Sequence, residues 1–301
     1  MPDRRPLAIV CHQRPQLRFG RALDLCAVTC ALAFLTGCAT LQASNERNWA
    51  ADHEQLASAD FRGDQVEIHN IRNCEYTTAE DYVLRYYDKT FDLNSVRSVD
   101  FIIVPFADLP QIAHVMLSFG FENDQYLCVS VEIRREKGEK YSPVAGFLRQ
   151  YELMYVVGDE RDLIQLRTIH RLDDVYVYRT RATPEQSRLL LVDMLKRANK
   201  LTREPEFYHT LTNNCTTNVV NHINKLWPNR IAYNVQVVLP GYSDRMAYAL
   251  GLLDTSKSFE ETRAAARVNL LAYVNRDNPR FSAMIREPIL ALTTDQTAKL
   301  R

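Results

Sequence analysis

The stretch Tyr208-His-Thr-Leu-Thr-Asn-Asn-Cys-Thr-Thr-Asn218 is where polar loop residues give way to an apolar pattern. Val219, Val220, Ile223, Leu226 and Trp227 follow at the spacing of one helix face. Asn213 or Asn214 suits the N-cap, because a side-chain oxygen there satisfies an orphan backbone N–H. Cys215 then falls in the first turn. Free N–H groups and aligned peptide dipoles favour an anion at that place, so a thiol there is expected to lose its proton more easily. Such a cysteine is a candidate nucleophile. The competing reading is a small buried hydrophobe that opens a helix. The Asn and Thr residues on either side favour chemistry.

Upstream of this stretch the chain reads as strands, and downstream as helices. Val66, Ile68 and Ile71 suggest a first strand after Gly63, Tyr82 to Leu93 a second, and Val99 to Phe106 a central one. Ala113-His-Val-Met-Leu-Ser-Phe-Gly-Phe121 and Tyr126-Leu-Cys-Val-Ser-Val-Glu-Ile133 flank turn residues and predict a hairpin. Residues 137–150 read as a basic, partly helical excursion. Tyr151 to Val157 and Val175 to Thr180 read as further strands, and Gly158-Asp-Glu-Arg as a turn. Thr183-Pro-Glu-Gln186 is a capping box that starts a helix to about Leu201. Helices from about Arg245 to Leu253 and from Glu260 to Val274 follow that of Cys215. The simplest architecture is a single α+β domain, with an antiparallel sheet from the first half packed against helices of the second. It spans residues 63–275, between a tether over 38–62 and a loosely held tail over 276–301.

A nucleophilic cysteine needs a base and a group to orient it. His222 is seven residues along the same helix, roughly 10 Å away at the helical rise, and cannot reach the thiol. His209 lies in the loop with nothing to hold it. His69 and His170 sit near strand edges without polar company, and His53 lies in the tether. His114 starts a strand of the central sheet, where a rigid element can present it. The hairpin sets it opposite Glu132 or Ile133, so the Glu132 carboxylate can accept the imidazole N–H. Ser130 and Ser118 are weaker substitutes. Cys215 and His114 are then expected to lie within about 4 Å of each other. Backbone N–H groups from Asn214 to Thr216 would steady an oxyanion, with Asn213 in support. Nothing in this chemistry calls for a metal or a cofactor.

A helix-borne Cys in Thr-Asn-Asn-Cys-Thr-Thr-Asn, preceded in sequence by a strand-borne His, resembles the permuted papain-like (NlpC-like) arrangement, whose members include lecithin retinol acyltransferase. More closely, Ala113-His-Val-Met-Leu-Ser-Phe, Tyr151-Glu-Leu-Met-Tyr and Leu211-Thr-Asn-Asn-Cys-Thr-Thr-Asn resemble the periplasmic domain of Lnb-type bacterial lipoprotein N-acyltransferases. The resemblance covers about residues 65–255. It implies a Cys–His acyltransferase. Cys215 would take an acyl chain from a phospholipid and pass it to the amino group of a lipoprotein. Family members carry membrane-spanning helices after the domain. Here no run after the first forty residues approaches the ~18 apolar residues of a span.

The beginning of the chain carries an address. Five Arg precede a largely apolar run from Ala22 to Leu35, which ends in Leu35-Thr36-Gly37-Cys38. This resembles a bacterial lipobox, which would make residues 1–37 a signal peptide and Cys38 the lipidated first residue of the mature protein. Ala39 after it goes with the outer membrane, so the expectation is an outer-membrane lipoprotein facing the periplasm. Two acyl chains suit stable attachment. Removal of residues 1–37 takes five Arg and two Asp, which leaves 32 basic and 35 acidic residues. That balance gives no electrostatic case for nucleic acid. Composition is globular, at 46% hydrophobic and 25% charged. Cys74, Cys128 and Cys215 remain besides Cys38; the first two form a disulfide or are buried thiols. Two other classes share these residues: a cell-wall cysteine amidase or peptidase, and a non-catalytic envelope lipoprotein. An apolar groove beside Cys215 favours the acyltransferase, a polar open cleft the amidase.

Overall fold

The structure is a computed structural model that describes residues 42–287. The signal peptide, Cys38 and residues 288–301 lie outside the described residues. Ten strands alternate with helices: β1 (Ser58–Arg62), β2 (Gln65–Arg72), β3 (Glu75–Tyr76), β4 (Tyr82–Val83), β5 (Tyr86–Asp92), β6 (Val96–Phe106), β7 (Leu109–Phe121), β8 (Tyr126–Arg134), β9 (Glu152–Asp159) and β10 (Tyr176–Arg179). β3 and β4 pair with each other. The other eight form one sheet in the order β1-β2-β9-β8-β7-β6-β10, with β5 also on β2. Its pairings are antiparallel apart from a parallel contact of β2 with β9. The fold is mixed α+β, as the sequence implies.

Both faces of the sheet are covered, because the central strands are apolar on both sides. On β7, Val115, Leu117 and Phe119 face one way, against Leu191 and Met194 of the Pro184–Arg203 helix and Val219 of the Cys215–Leu226 helix. Met116 faces the other way with Cys128 and Met154, against Leu163, Ile164, Leu271 and Phe281. Each fully buried side chain of this size contributes roughly 1.5–3 kcal/mol. The predicted capping box is present: Thr183 accepts from the Gln186 N–H, and the Gln186 side chain reaches back to the Thr183 N–H.

Several elements differ from the sequence reading. The segment before Gly63 is part of the sheet, since β1 pairs with β2 and Trp49 is buried. Gly158-Asp-Glu-Arg is not a turn. Asp159 caps a helix over Glu160–Gln165, which runs on as a π-helical turn over Leu166–His170. The helix expected over 260–274 breaks into Phe259–Ala266 and Asn269–Val274, because Arg267 is extended and bridges to Tyr176 of β10. From Arg276 the chain stays on the body as far as Glu287: Phe281 and Ile285 are buried, and Arg286 pairs with Asp100 and Glu160. Cys74 and Cys128 are both buried free thiols.

Asp162, on the helix missing from the sequence reading, locks the edge of the sheet. Its carboxylate accepts from Arg72 Nε at 3.1 Å, from the Cys74 N–H at 2.8 Å and from the Tyr76 hydroxyl at 3.1 Å. Asp162→Ala strands a buried guanidinium and two further donors. Loss of one partner of such a pair costs about 3–5 kcal/mol. Urea unfolding should show that loss as a lower midpoint with an unchanged slope.

Candidate active site

The loop before Cys215 is fixed by its own backbone and by β9. The Tyr208 N–H donates to Tyr151 O at 2.9 Å, and His209 and Asn213 exchange backbone hydrogen bonds. Asn213 Nδ2 donates to Phe207 O at 2.8 Å, and its Oδ1 accepts from Asn218 Nδ2 at 2.9 Å. Asn214 is the N-cap: its Oδ1 accepts from the Thr217 N–H, and its own N–H donates to Thr217 Oγ1, both at 2.8 Å. Asn213 and Asn214 are therefore committed to holding the turn, and neither has a free backbone N–H, since that of Asn213 donates to His209 O and that of Asn214 to Thr217 Oγ1. Within the stretch expected to hold an oxyanion, the N–H groups left over are those of Cys215 and Thr216, as the first turn of a helix requires.

The thiol stands where two strands part. β7 and β8 pair from Gly120↔Tyr126 down to Met116↔Ser130 and no further. Beyond that point β7 stays on β6, in register to Ala113 and after an irregularity to Leu109, and β8 stays on β9 as far as Arg134. Cys215 Sγ lies in the gap, 4.0 Å from Ala113 O and 3.8 Å from Thr216 Oγ1. The Val115 N–H also points at it. These donors favour the thiolate, but burial outweighs them and pushes the Cys215 thiol above its ordinary pKa. The expectation of a lowered pKa from the helix start alone is thus overturned. The resting group is a thiol.

Continued by two residues, the hairpin register sets His114 opposite Glu132. The two do not touch directly. Ser130 stands between them: His114 Nε2 and Ser130 Oγ are 2.7 Å apart, and Ser130 Oγ donates to Glu132 Oε1 at 2.7 Å. Glu132 Oε1 is 3.7 Å from the ring nitrogen. A carboxylate only accepts, so the serine proton belongs to Glu132 and Ser130 must accept from Nε2–H. This leaves the lone pair on Nδ1. Burial would raise the Glu132 carboxyl, but the charge of Arg167 at 3.0 Å outweighs it and holds the group ionised. Burial, then the charge of Arg167, push His114 down to about 3, so its imidazole is neutral.

Cys215 and His114 line one cavity of about 420 Å³, which also takes in Phe106, Tyr141 and Leu239. No hydrogen bond joins thiol to imidazole. Apo dyads are often loose, and the shared cavity leaves room for substrate between the two groups. His53, set aside in the sequence as part of the tether, lines this cavity as well; burial pushes it down to about 4, and its Nδ1 accepts from the Arg135 N–H at 2.9 Å. Arg167 and Arg171 line it too, from the π-helical turn and its C-terminal cap. A helical reading of 160–170 was the signal that would have found them. A second cavity, of about 300 Å³, is lined by Thr216, whose hydroxyl is 3.8 Å from the Cys215 sulfur. Its walls are mostly apolar, among them Phe101, Val115, Leu117, Val219, Ile223 and Met246, with Arg181, Gln186 and Arg230 also lining it.

The other histidines lie elsewhere. His222 is held between Asp193 at 2.7 Å and the Tyr155 hydroxyl at 2.8 Å, which anchors the helix. His69 has the polar company that the sequence did not suggest: Asp88 at 2.8 Å and Asp60 at 3.3 Å. His209 contacts Thr212, and Ser118 donates to Glu160. Among the described residues no cluster of three His, Cys, Asp or Glu could hold a metal ion, and no helix is long and apolar enough to cross a membrane.

No curated protein and no solved structure matches the chain. The sequence model of the Lnb N-terminal periplasmic domain matches residues 82–241, a span that holds His114, Ser130, Glu132, Arg167, Arg171 and Cys215. A periplasmic domain belongs to the bacterial envelope. The match covers more than half of the chain, which therefore belongs to the Lnb N-terminal periplasmic domain family.

Proposed function

We propose that the protein is a thiol acyltransferase of the bacterial envelope, with Cys215 as nucleophile and His114 as base. The observation that carries this reading is the apolar cavity at Thr216, beside the thiol. Its volume is at the lower end of ligand pockets, and its lining suits an acyl chain and not a polar peptide. In the first step His114 Nδ1 takes the Sγ proton as the sulfur attacks an ester carbonyl of a phospholipid. The N–H groups of Cys215, Thr216 and Val115, which surround the sulfur, would steady the oxyanion. Collapse breaks the ester C–O bond, and the imidazolium returns its proton to the lysophospholipid alkoxide. The Ser130–Glu132 relay orients the ring and supports its positive charge during that interval. In the second step an amine of a lipoprotein, or water, attacks the thioester carbonyl. The C–S bond breaks and Cys215 recovers a proton.

This reading is tested by incubating the protein with phospholipid micelles, with and without a diacylated lipopeptide bearing a free amine. Lysophospholipid should appear in both, and an N-acylated lipopeptide only in the second. Hydrolysis of a cell-wall peptide, with no lysophospholipid formed, would favour the amidase instead.

The anchor forms part of the same proposal. Cys38, outside the described residues, would be lipidated and hold the domain at the outer membrane. Cys38→Ser should move the protein out of the membrane fraction or leave its signal uncleaved. Unchanged processing and membrane retention would remove the lipid anchor from the proposal.

A further inference from the structure

Three arginines line the Cys215 cavity, and two have carboxylates. Arg167 is 3.0 Å from Glu132 Oε1, and Arg135 is 3.6 Å from Asp52 Oδ2. Arg171 has none. It caps the π-helical turn at Leu166–His170, is exposed, and makes no ion pair or side-chain hydrogen bond among the described residues. Asp173 shares the cavity wall but is not within ion-pair distance. The surrounding protein atoms and the like charge of Arg167 lower the pKa of Arg171, while the more distant charges of Glu132 and Asp173 raise it. π-helical turns often mark functional positions. Arg171 lines the same cavity as Cys215 and His114, and its planar, five-donor fork matches the oxygens of a phosphate.

On the reading that the acyl donor is a glycerophospholipid, we infer that Arg171 is a specificity residue that binds the phosphodiester of the donor's headgroup. The apolar cavity and the cationic wall then flank Cys215, as a lipid ester needs: chain to one side of the scissile carbonyl, phosphate to the other. Phosphate recognition would select phospholipid over neutral glyceride.

Two donors with the same ester chemistry test this: dioleoyl phosphatidylglycerol and dioleoylglycerol, each in the same neutral detergent. Arg171→Ala should lower kcat/KM for the phospholipid by about tenfold to a hundredfold and leave the neutral glyceride unchanged. Arg171→Lys should regain part of the loss, because it keeps the charge without the fork. Equal loss on both donors, or loss on neither, would overturn the inference and leave the acyltransferase reading standing. If Cys215 takes no acyl group from either donor, that reading fails and this inference fails with it. Inorganic phosphate separates headgroup from free anion. Weak, millimolar competition is expected, whereas micromolar binding that Arg171→Ala abolishes would mark a free-phosphate site and overturn the headgroup assignment.

Discussion

Cys215→Ser should lower phospholipid-dependent acyl transfer at least about a thousandfold while the fold is kept. The sulfur lies in the gap between β7 and β8, with Ala113 O, Thr216 Oγ1 and the Val115 N–H around it. A hydroxyl fits that space, so the melting temperature should change little. Its oxygen keeps its proton far more tightly than sulfur, so its transfer to His114 in a site built around a thiol costs far more. Residual transfer within tenfold of wild type would show that the nucleophile is another group.

His114→Ala should cost about a hundredfold to ten-thousandfold in the same assay. The loss should not add to that of Cys215→Ser, because the two would act as one unit. Ser130→Ala, which removes only the group that holds Nε2, should cost less. The pH profile gives a finer check. Burial and Arg167 hold His114 neutral down to about pH 3, and burial holds Cys215 as a thiol. The acid limb of kcat/KM should therefore lie well below the ordinary histidine value of about 6.5. An acid limb at 6.5 in the wild type would mean that the base is an exposed imidazole, not His114 in this wall. Alkylation of the resting thiol by iodoacetamide should be slow compared with a free cysteine, as burial requires.

The candidate nucleophile was legible because local chemistry marks it: an Asn cap, a polar first turn and an apolar face behind it all lie within twenty residues of sequence. The hairpin register was legible too, since strand alternation and a short turn leave few choices for what lies opposite His114. The parting of β7 from β8 was not. It comes from partners on the outer sides of the two strands, which no local pattern records. The thiol pKa was misjudged for the same reason, because a helix N-terminus acts locally and burial is a property of the whole fold. Ser130 was given a lesser place than Glu132, and the structure puts it in the direct contact. The helix at 160–165 was hidden by its Gly-Asp start, although Asp159 was a cap in plain view and Leu163, Ile164 and Leu166 were its buried side. The docking of residues 276–287 depends on Arg286 meeting Asp100 and Glu160, partners far away in sequence.

The most direct measurement is intact mass after incubation with a single defined phospholipid, followed by peptide mapping. Wild type should gain the mass of one acyl chain, on the peptide that carries Cys215, and lose it to hydroxylamine. His114→Ala should gain it far more slowly and Cys215→Ser not at all. An adduct on a different peptide in the wild type, or one that persists unchanged in Cys215→Ser, would contradict a thioester at Cys215.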